Sequence, residues 1–188
     1  MKPVGYLTNS LTGLEGEPGI FYSYITAADG MYLRTKNDRL NVTVNIADVQ
    51  VRGLAPVAEE ITLIHGKIPM YLFNLALSIL MAKPDTEQFI AFVWENGKYC
   101  LKQPTQTGTG GSVQYETWPN TVLDLHSHTG GIPAQFSIID DRDEQGLGLY
   151  GVVAALRNLF PTSSFRLGCY GYFLEVEKGE IFEQTTYF

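Results

Sequence analysis

Two of the chain's three histidines stand one residue apart, in His126-Ser127-His128, directly behind the short apolar run TVLDL at 121–125. On an extended segment residues i and i+2 face the same way, so a strand ending there presents two imidazoles side by side, roughly 6–7 Å apart along the backbone. One zinc ion can bridge such a pair at Zn–N distances of about 2.0–2.1 Å. A catalytic zinc takes a third protein ligand and keeps its fourth position open. Ser137 has the pattern of a helix N-cap. Asp140, three residues on, falls in the first turn of that helix and can reach back to the strand end. Asp141 and Asp143 stand beside it as rivals, since acids also favour the positive end of a helix. Metal-assisted hydrolysis further needs a carboxylate to take and return a proton, and a donor facing the developing oxyanion. Glu87 sits where a buried helix hands over to a strand and can point into a central cleft; its competitor Glu95 lies in an apparent hairpin turn.

These residues must be positioned by the elements around them. Residues 1–66 alternate short β-like runs with turn signals. GIFYSYITAADGMYLRT reads as two strands joined around Asp29-Gly30, and LNVTVNIADVQV alternates apolar and polar residues with period two. This part is expected to form a small β-rich N-terminal lobe of unassigned role. Gly66 and Pro69 punctuate its end, and a helix runs from Pro69 to about Ala82, where Lys83-Pro84 stops it. Asn74 and Ser78 give that helix one narrow polar face, and the remainder is expected in the core. EQFIAFVWENGKYCLKQP reads as a hairpin turning at Glu95-Asn96-Gly97. The glycine-rich QTGTGGS at 106–112 lacks the Lys-Ser/Thr ending of a phosphate loop. Tyr115, Trp118 and the loop 105–112 either line a groove for an extended tail or simply pack. After Ser137 come two further β-runs, with turns at Phe160-Pro161 and Lys178-Gly179. Along the whole chain the order β–α–β–β–β–α–β–β is that of an α/β (α+β) sandwich, with residues 67–188 as a second domain after the lobe.

Bulk properties narrow the function. The 188 residues carry a formal net charge of −7. Residues 1–68 hold six basic and seven acidic side chains; residues 69–188 hold seven and thirteen. Such a surface repels a phosphate backbone, so no nucleic-acid partner is expected. The longest apolar segment, IPMYLFNLALSILMA, is 15 residues and is interrupted by Asn74 and Ser78, too short for a membrane span. The N-terminus has no apolar signal core, and Cys100 and Cys169 are in no ligand spacing, which points to buried thiols and a cytoplasmic protein. His65, alone beside Gly66, reads as structural.

Two families begin with a similar phrase. DLHSHT resembles the opening motif of the polymerase-and-histidinol-phosphatase phosphoesterases, but those multi-metal sites need several more histidines, and only His65 remains. The longer string resembles the JAB/MPN (JAMM) metalloprotease family: a Glu after a helix, then His-x-His, seven residues, Ser, two residues, Asp. Glu87, His126-Ser127-His128, Ser137 and Asp140 follow that order, over a stretch of about 68–185. Eight residues, not seven, separate His128 from Ser137, and Thr129 stands where many members have Pro. Gly130, Gly131 and Pro133 make a loop able to absorb one insertion, because loop-closure cost rises slowly with length. The β-lobe and QFSIIDDRDE look most like the prokaryotic branch found in PRTRC cassettes, whose genes travel with an E1-like (ThiF-type) protein and a small ubiquitin-like protein. The resemblance implies a JAB/MPN-like (cytidine-deaminase-like) mixed sheet flanked by helices. It implies one Zn2+ per chain on His126, His128 and Asp140, Glu87 as general base and then acid, and Ser137 steadying the tetrahedral intermediate. The implied reaction is hydrolysis of a peptide or isopeptide bond at the C-terminus of a ubiquitin-like protein. A catalytically silent metal-binding scaffold of the same system is the alternative.

Overall fold

Strands dominate this chain, some alternating buried and half-buried residues, others buried over most of their length. The structure, a computed structural model, describes residues 2–104, 107–108, 113–114 and 118–184. It is a mixed α+β protein whose chain divides into two units, Met1–Gly66 and Lys67–Phe188. Each is built on a six-stranded mixed sheet.

The first unit contains β1 (Val4–Ser10), β2 (Gly13–Glu17), β3 (Tyr22–Thr26), β4 (Gly30–Lys36), β5 (Leu40–Asp48) and β6 (Glu60–Leu63), in the spatial order β2-β1-β3-β4-β5-β6. β1 and β3 run parallel and the other neighbours antiparallel. The alternating LNVTVNIAD becomes β5 and buries Leu40, Val42 and Val44 with Ile25 and Leu33.

The second unit opens with α1 (Met70–Met81), preceded by Pro69 at the N-cap. Leu72, Phe73, Ala76 and Leu80 recur at three- and four-residue steps and form its buried face. The expectation that everything but Asn74 and Ser78 would be core is not met. Tyr71, Leu75 and Met81 are exposed on the same side as those two residues. The helix packs on one side only, so an apolar residue a hundred degrees away from the sheet stays in water whatever its hydropathy. Strands β7 (Phe89–Glu95), β8 (Lys98–Lys102), β9 (Thr107–Gly108), β10 (Val113–Gln114), β11 (Thr121–Ser127), β12 (Leu147–Ala154), β13 (Thr162–Cys169) and β14 (Tyr172–Glu175) follow, with α2 (Ile138–Asp143) between β11 and β12 and α3 (Lys178–Ile181) at the end. The main sheet has the order β14-β13-β12-β11-β7-β8; only β11 and β12 are parallel.

The β7–β8 hairpin turns on Asn96 and Gly97, at φ 52° and 75°, as its left-handed two-residue loop requires. Lys178-Gly179, expected as a turn, is instead the start of α3, and the reversal between β13 and β14 falls at Tyr170-Gly171, at φ 50° and 93°. One face of the sheet packs Phe92 and Phe165 against Phe73 of α1 and Phe182 after α3. Cys169 is buried and Cys100 only half-buried; both are free thiols. Apart from the backbone of 107–108, the stretch 106–112 lies outside the described residues, as does Tyr115. Trp118 packs against Phe89, Ala91 and Val93.

Candidate metal centre

The other sheet face, opposite α1, carries the polar chemistry. Along β11 the buried Leu123, Leu125 and Ser127 point one way, and Asp124 and His126 the other. His128 continues past the strand end, held by its N–H to the Val153 carbonyl at 2.9 Å. Nε2 of His126 and Nε2 of His128 lie 3.0 Å apart. Asp140 of α2 approaches both, with Oδ1 3.3 Å from His126 Nε2 and Oδ2 3.7 Å from His128 Nε2. Ligand atoms placed about 2.0–2.1 Å from a tetrahedral zinc are separated by about 3.3 Å. The two imidazole nitrogens and the two Asp140 oxygens thus approach one another at separations near that value, which suits one small cation between them. His126, His128 and Asp140 are, among the described residues, the one group of histidine, cysteine and acidic side chains gathered within 4.8 Å that could hold a metal ion. Their two imidazole nitrogens and one carboxylate oxygen form the mixed donor set of zinc and related transition metals.

α2 is made locally. Ser137 is extended and its Oγ accepts the Asp140 N–H at 3.3 Å, while Asp140 Oδ2 accepts the Ser137 N–H, a closed capping box. Asp140 therefore serves the helix start and the triangle together. The long loop before it is pinned midway. The Ala134 N–H donates to Thr162 Oγ1 at 2.8 Å, and the Ala134 carbonyl accepts from Ser164 Oγ at 3.0 Å. Gly130 takes a left-handed φ of 93° within it. The eight-residue spacing thus still delivers Ser137 to the cap. Of the rival acids, Asp143 is exposed and Asp141 pairs with Arg166 at 2.6 Å. Neither joins the histidines.

Glu87 is set by strand register. β7 and β11 pair Phe89 with His126. The ladder runs on, the Ser127 N–H donating to the Gln88 carbonyl at 2.8 Å and the Gln88 N–H to Ser127 Oγ at 3.0 Å. One more step of the same register sets Glu87 opposite His128, on the face that holds His126. Burial raises the Glu87 carboxyl above its ordinary range, His128 opposes this, and Asp140 adds to it. Glu95 instead pairs with Lys102 at 2.9 Å, next to the hairpin turn and half-buried. Burial pushes His126 down to about 4, with Asp140 pulling the other way and His128 and Arg166 assisting. That imidazole is held neutral, the state a metal ligand requires. His65 lies in the first unit, after β6, and is not a member of the group.

Several contributors had no motif to mark them. Ser127, a spacer by sequence, is 1 % exposed and fastens β7 to β11. Gln88 donates through Nε2 to the Leu80 and Lys83 carbonyls, tying the end of α1 to the strand after Glu87. Arg166 is buried in the apolar run FRLGC, and a lone arginine in such a run signals a buried partner. No helix among the described residues is long and apolar enough to cross a membrane. No protein-family model matches the chain, and no curated protein matches it.

Proposed function

We propose that this protein is a zinc-dependent peptidase or isopeptidase of the JAB/MPN type, acting on the C-terminal tail of a ubiquitin-like protein in a bacterial pathway with an E1-like partner. The observation that carries the reading is the convergence of His126, His128 and Asp140 within 4.8 Å, with Glu87 in register beside His128. Zinc, when bound there, supplies a Lewis acid that polarises the scissile carbonyl and acidifies water at its open position. The protein's own groups do the rest. Glu87, its carboxyl raised by burial, takes the proton from the attacking water and returns it to the leaving nitrogen. Ser137 uses its Oγ lone pair to accept from Asp140, leaving the hydroxyl hydrogen to donate to the developing oxyanion. Asp140 and the two imidazoles, all less than a quarter exposed, keep the site dry enough for these charges to act strongly.

A substrate of protein size is favoured by the rim. Ile132, Ile138 and Ile139 are more than half exposed on the segment between β11 and β12, and Leu159 and Phe160 on the β12–β13 loop at the same sheet end are 86 % and 80 % exposed. Exposed apolar groups at the sheet end that carries the polar centre suit a macromolecular contact more than a small polar ligand.

The test combines metal content with cleavage of a ubiquitin-like protein bearing a C-terminal extension. Wild type should carry about one zinc and His128→Ala should lose it. Glu87→Gln should keep the zinc and lose cleavage by roughly 10²–10⁴-fold. Absence of zinc from reconstituted wild type would overturn the metal reading. Stoichiometric zinc without any cleavage would leave the silent scaffold.

A further inference from the structure

α2 carries Ser137 at its cap and Asp140 in its first turn, yet it is a poor structure by itself. It spans six residues and buries none of them; Ile138 and Ile139 face outward at 72 % and 57 % exposure. A helix of this length is unstable alone, and an amphipathic anchor is what normally fixes a short helix on a sheet. Here apolar burial cannot do so.

Arg166, projecting from β13 on the same sheet face, fills that role with charge. Its side chain is 8 % exposed. Nε donates to Glu144 Oε2 at 2.8 Å, Nη2 lies 2.7 Å from the same oxygen, and Nη1 donates to Asp141 Oδ1 at 2.6 Å. Asp141 immediately follows the Asp140 ligand, and Glu144 is the C-cap, so the guanidinium grips the helix at its middle and at its C-terminal end. The plane of the fork is held from both sides as well. Its central carbon lies 3.9 Å from the ring centre of Phe136 and 4.0 Å from that of Phe173. Phe136 directly precedes Ser137, and its ring stands edge-on to His126 at 6.4 Å. One side chain therefore contacts residue 136, residue 141 and residue 144, bracketing both Ser137 and Asp140.

We propose that Arg166 is the positioning residue of this site: it clamps the segment 136–144 to the sheet and so holds Asp140 against His126 and His128. The role of Asp140 as a metal ligand rests on the function proposed above; the clamp itself does not. The fork geometry matters, because a lysine offers one point charge and cannot meet Glu144 and Asp141 together while stacking between two rings. Burial raises the Glu144 carboxyl, and Arg166, 2.7–2.8 Å from its Oε2, opposes this by favouring the charged form. With Arg166 removed, a buried acid would be left without its counter-ion, and the C-cap would be free to leave the sheet.

The test reads the apo protein and the zinc-loaded protein separately, using full-length Arg166→Met. In metal-free protein, amide exchange should accelerate at 138–144 while β7, β11 and β12 keep wild-type protection; a general loss of stability would accelerate all of them. Zinc, titrated against a chelator, should bind 10–100-fold more weakly, the usual effect of losing a group that orients a ligand. Should Arg166→Met fail to fold, the double variant Asp141→Asn/Glu144→Gln removes the gripped charges instead and should show the same local pattern. Unchanged exchange at 138–144 with zinc affinity within twofold of wild type, in whichever variant folds, overturns the proposal. A wild type that binds no zinc, with exchange still accelerated at 138–144 in the variant, keeps the clamp and discards the metal reading.

Discussion

Ser127→Ala removes one buried oxygen from the middle of His-x-His without touching either imidazole. Ser127 Oγ accepts the Gln88 N–H at 3.0 Å, and both residues are buried, at 1 % and 4 % exposure. Alanine leaves almost no cavity, so the cost is that of orphaning one buried backbone donor, about 1–3 kcal/mol. With a urea slope of roughly 1–3 kcal/mol per molar, the unfolding midpoint should fall by about 1 M. The chain's two tryptophans, Trp94 and Trp118, both lie in the second unit, so fluorescence excited selectively in tryptophan reports that unit, whereas the first holds tyrosines but no tryptophan. Ser78→Ala is the control: its hydroxyl donates to the Asn74 carbonyl on the exposed face of α1, and its loss should change stability by less than about 0.5 kcal/mol. A Ser127→Ala midpoint no different from that of Ser78→Ala would refute the argument that this hydroxyl fastens β7, and with it Glu87, to β11.

Metal-free protein should lose stability on acidification through His126. Its folded pKa is about 4 against an ordinary value of 6.5, so its contribution is full above about 6.5 and is lost as pH falls from there toward 4. The loss is of order 3 kcal/mol at most; urea unfolding of wild type and His126→Gln at pH 7.5 and 4.5 should show a steeper fall in the wild type. Gly151→Ala should destabilise by about 1–3 kcal/mol, because a Cβ there would meet Leu125 Cδ1 and the Phe165 ring at 2.8 Å, both buried; a melt matching wild type would count against that close packing.

Much of this protein is legible in the order of its residues, for reasons that are local. His126 and His128 share a face because a strand has period two. Ser137 caps α2 because its own side chain and that of Asp140 meet the orphan N–H groups three residues away. Asn96-Gly97 turns because those residues tolerate positive φ. The same locality explains the errors. Tyr71, Leu75 and Met81 are as apolar as their buried neighbours, and only the direction of the sheet decides that they face water. Lys178-Gly179 carries a turn signal, yet the bond of the Ile68 N–H to the Ile181 carbonyl and the burial of Ile181 and Phe182 draw the segment into α3. What tertiary structure alone decided is who stands next to whom across long separations. Glu87 faces His128 through a ladder spanning about forty residues, Asp140 is chosen over Asp141 because Arg166 claims the latter, and a six-residue helix with no buried side chain is held in place by an arginine from another strand. Pairing across a sheet depends on the register of strands far apart in the chain, and no spacing within one segment encodes it.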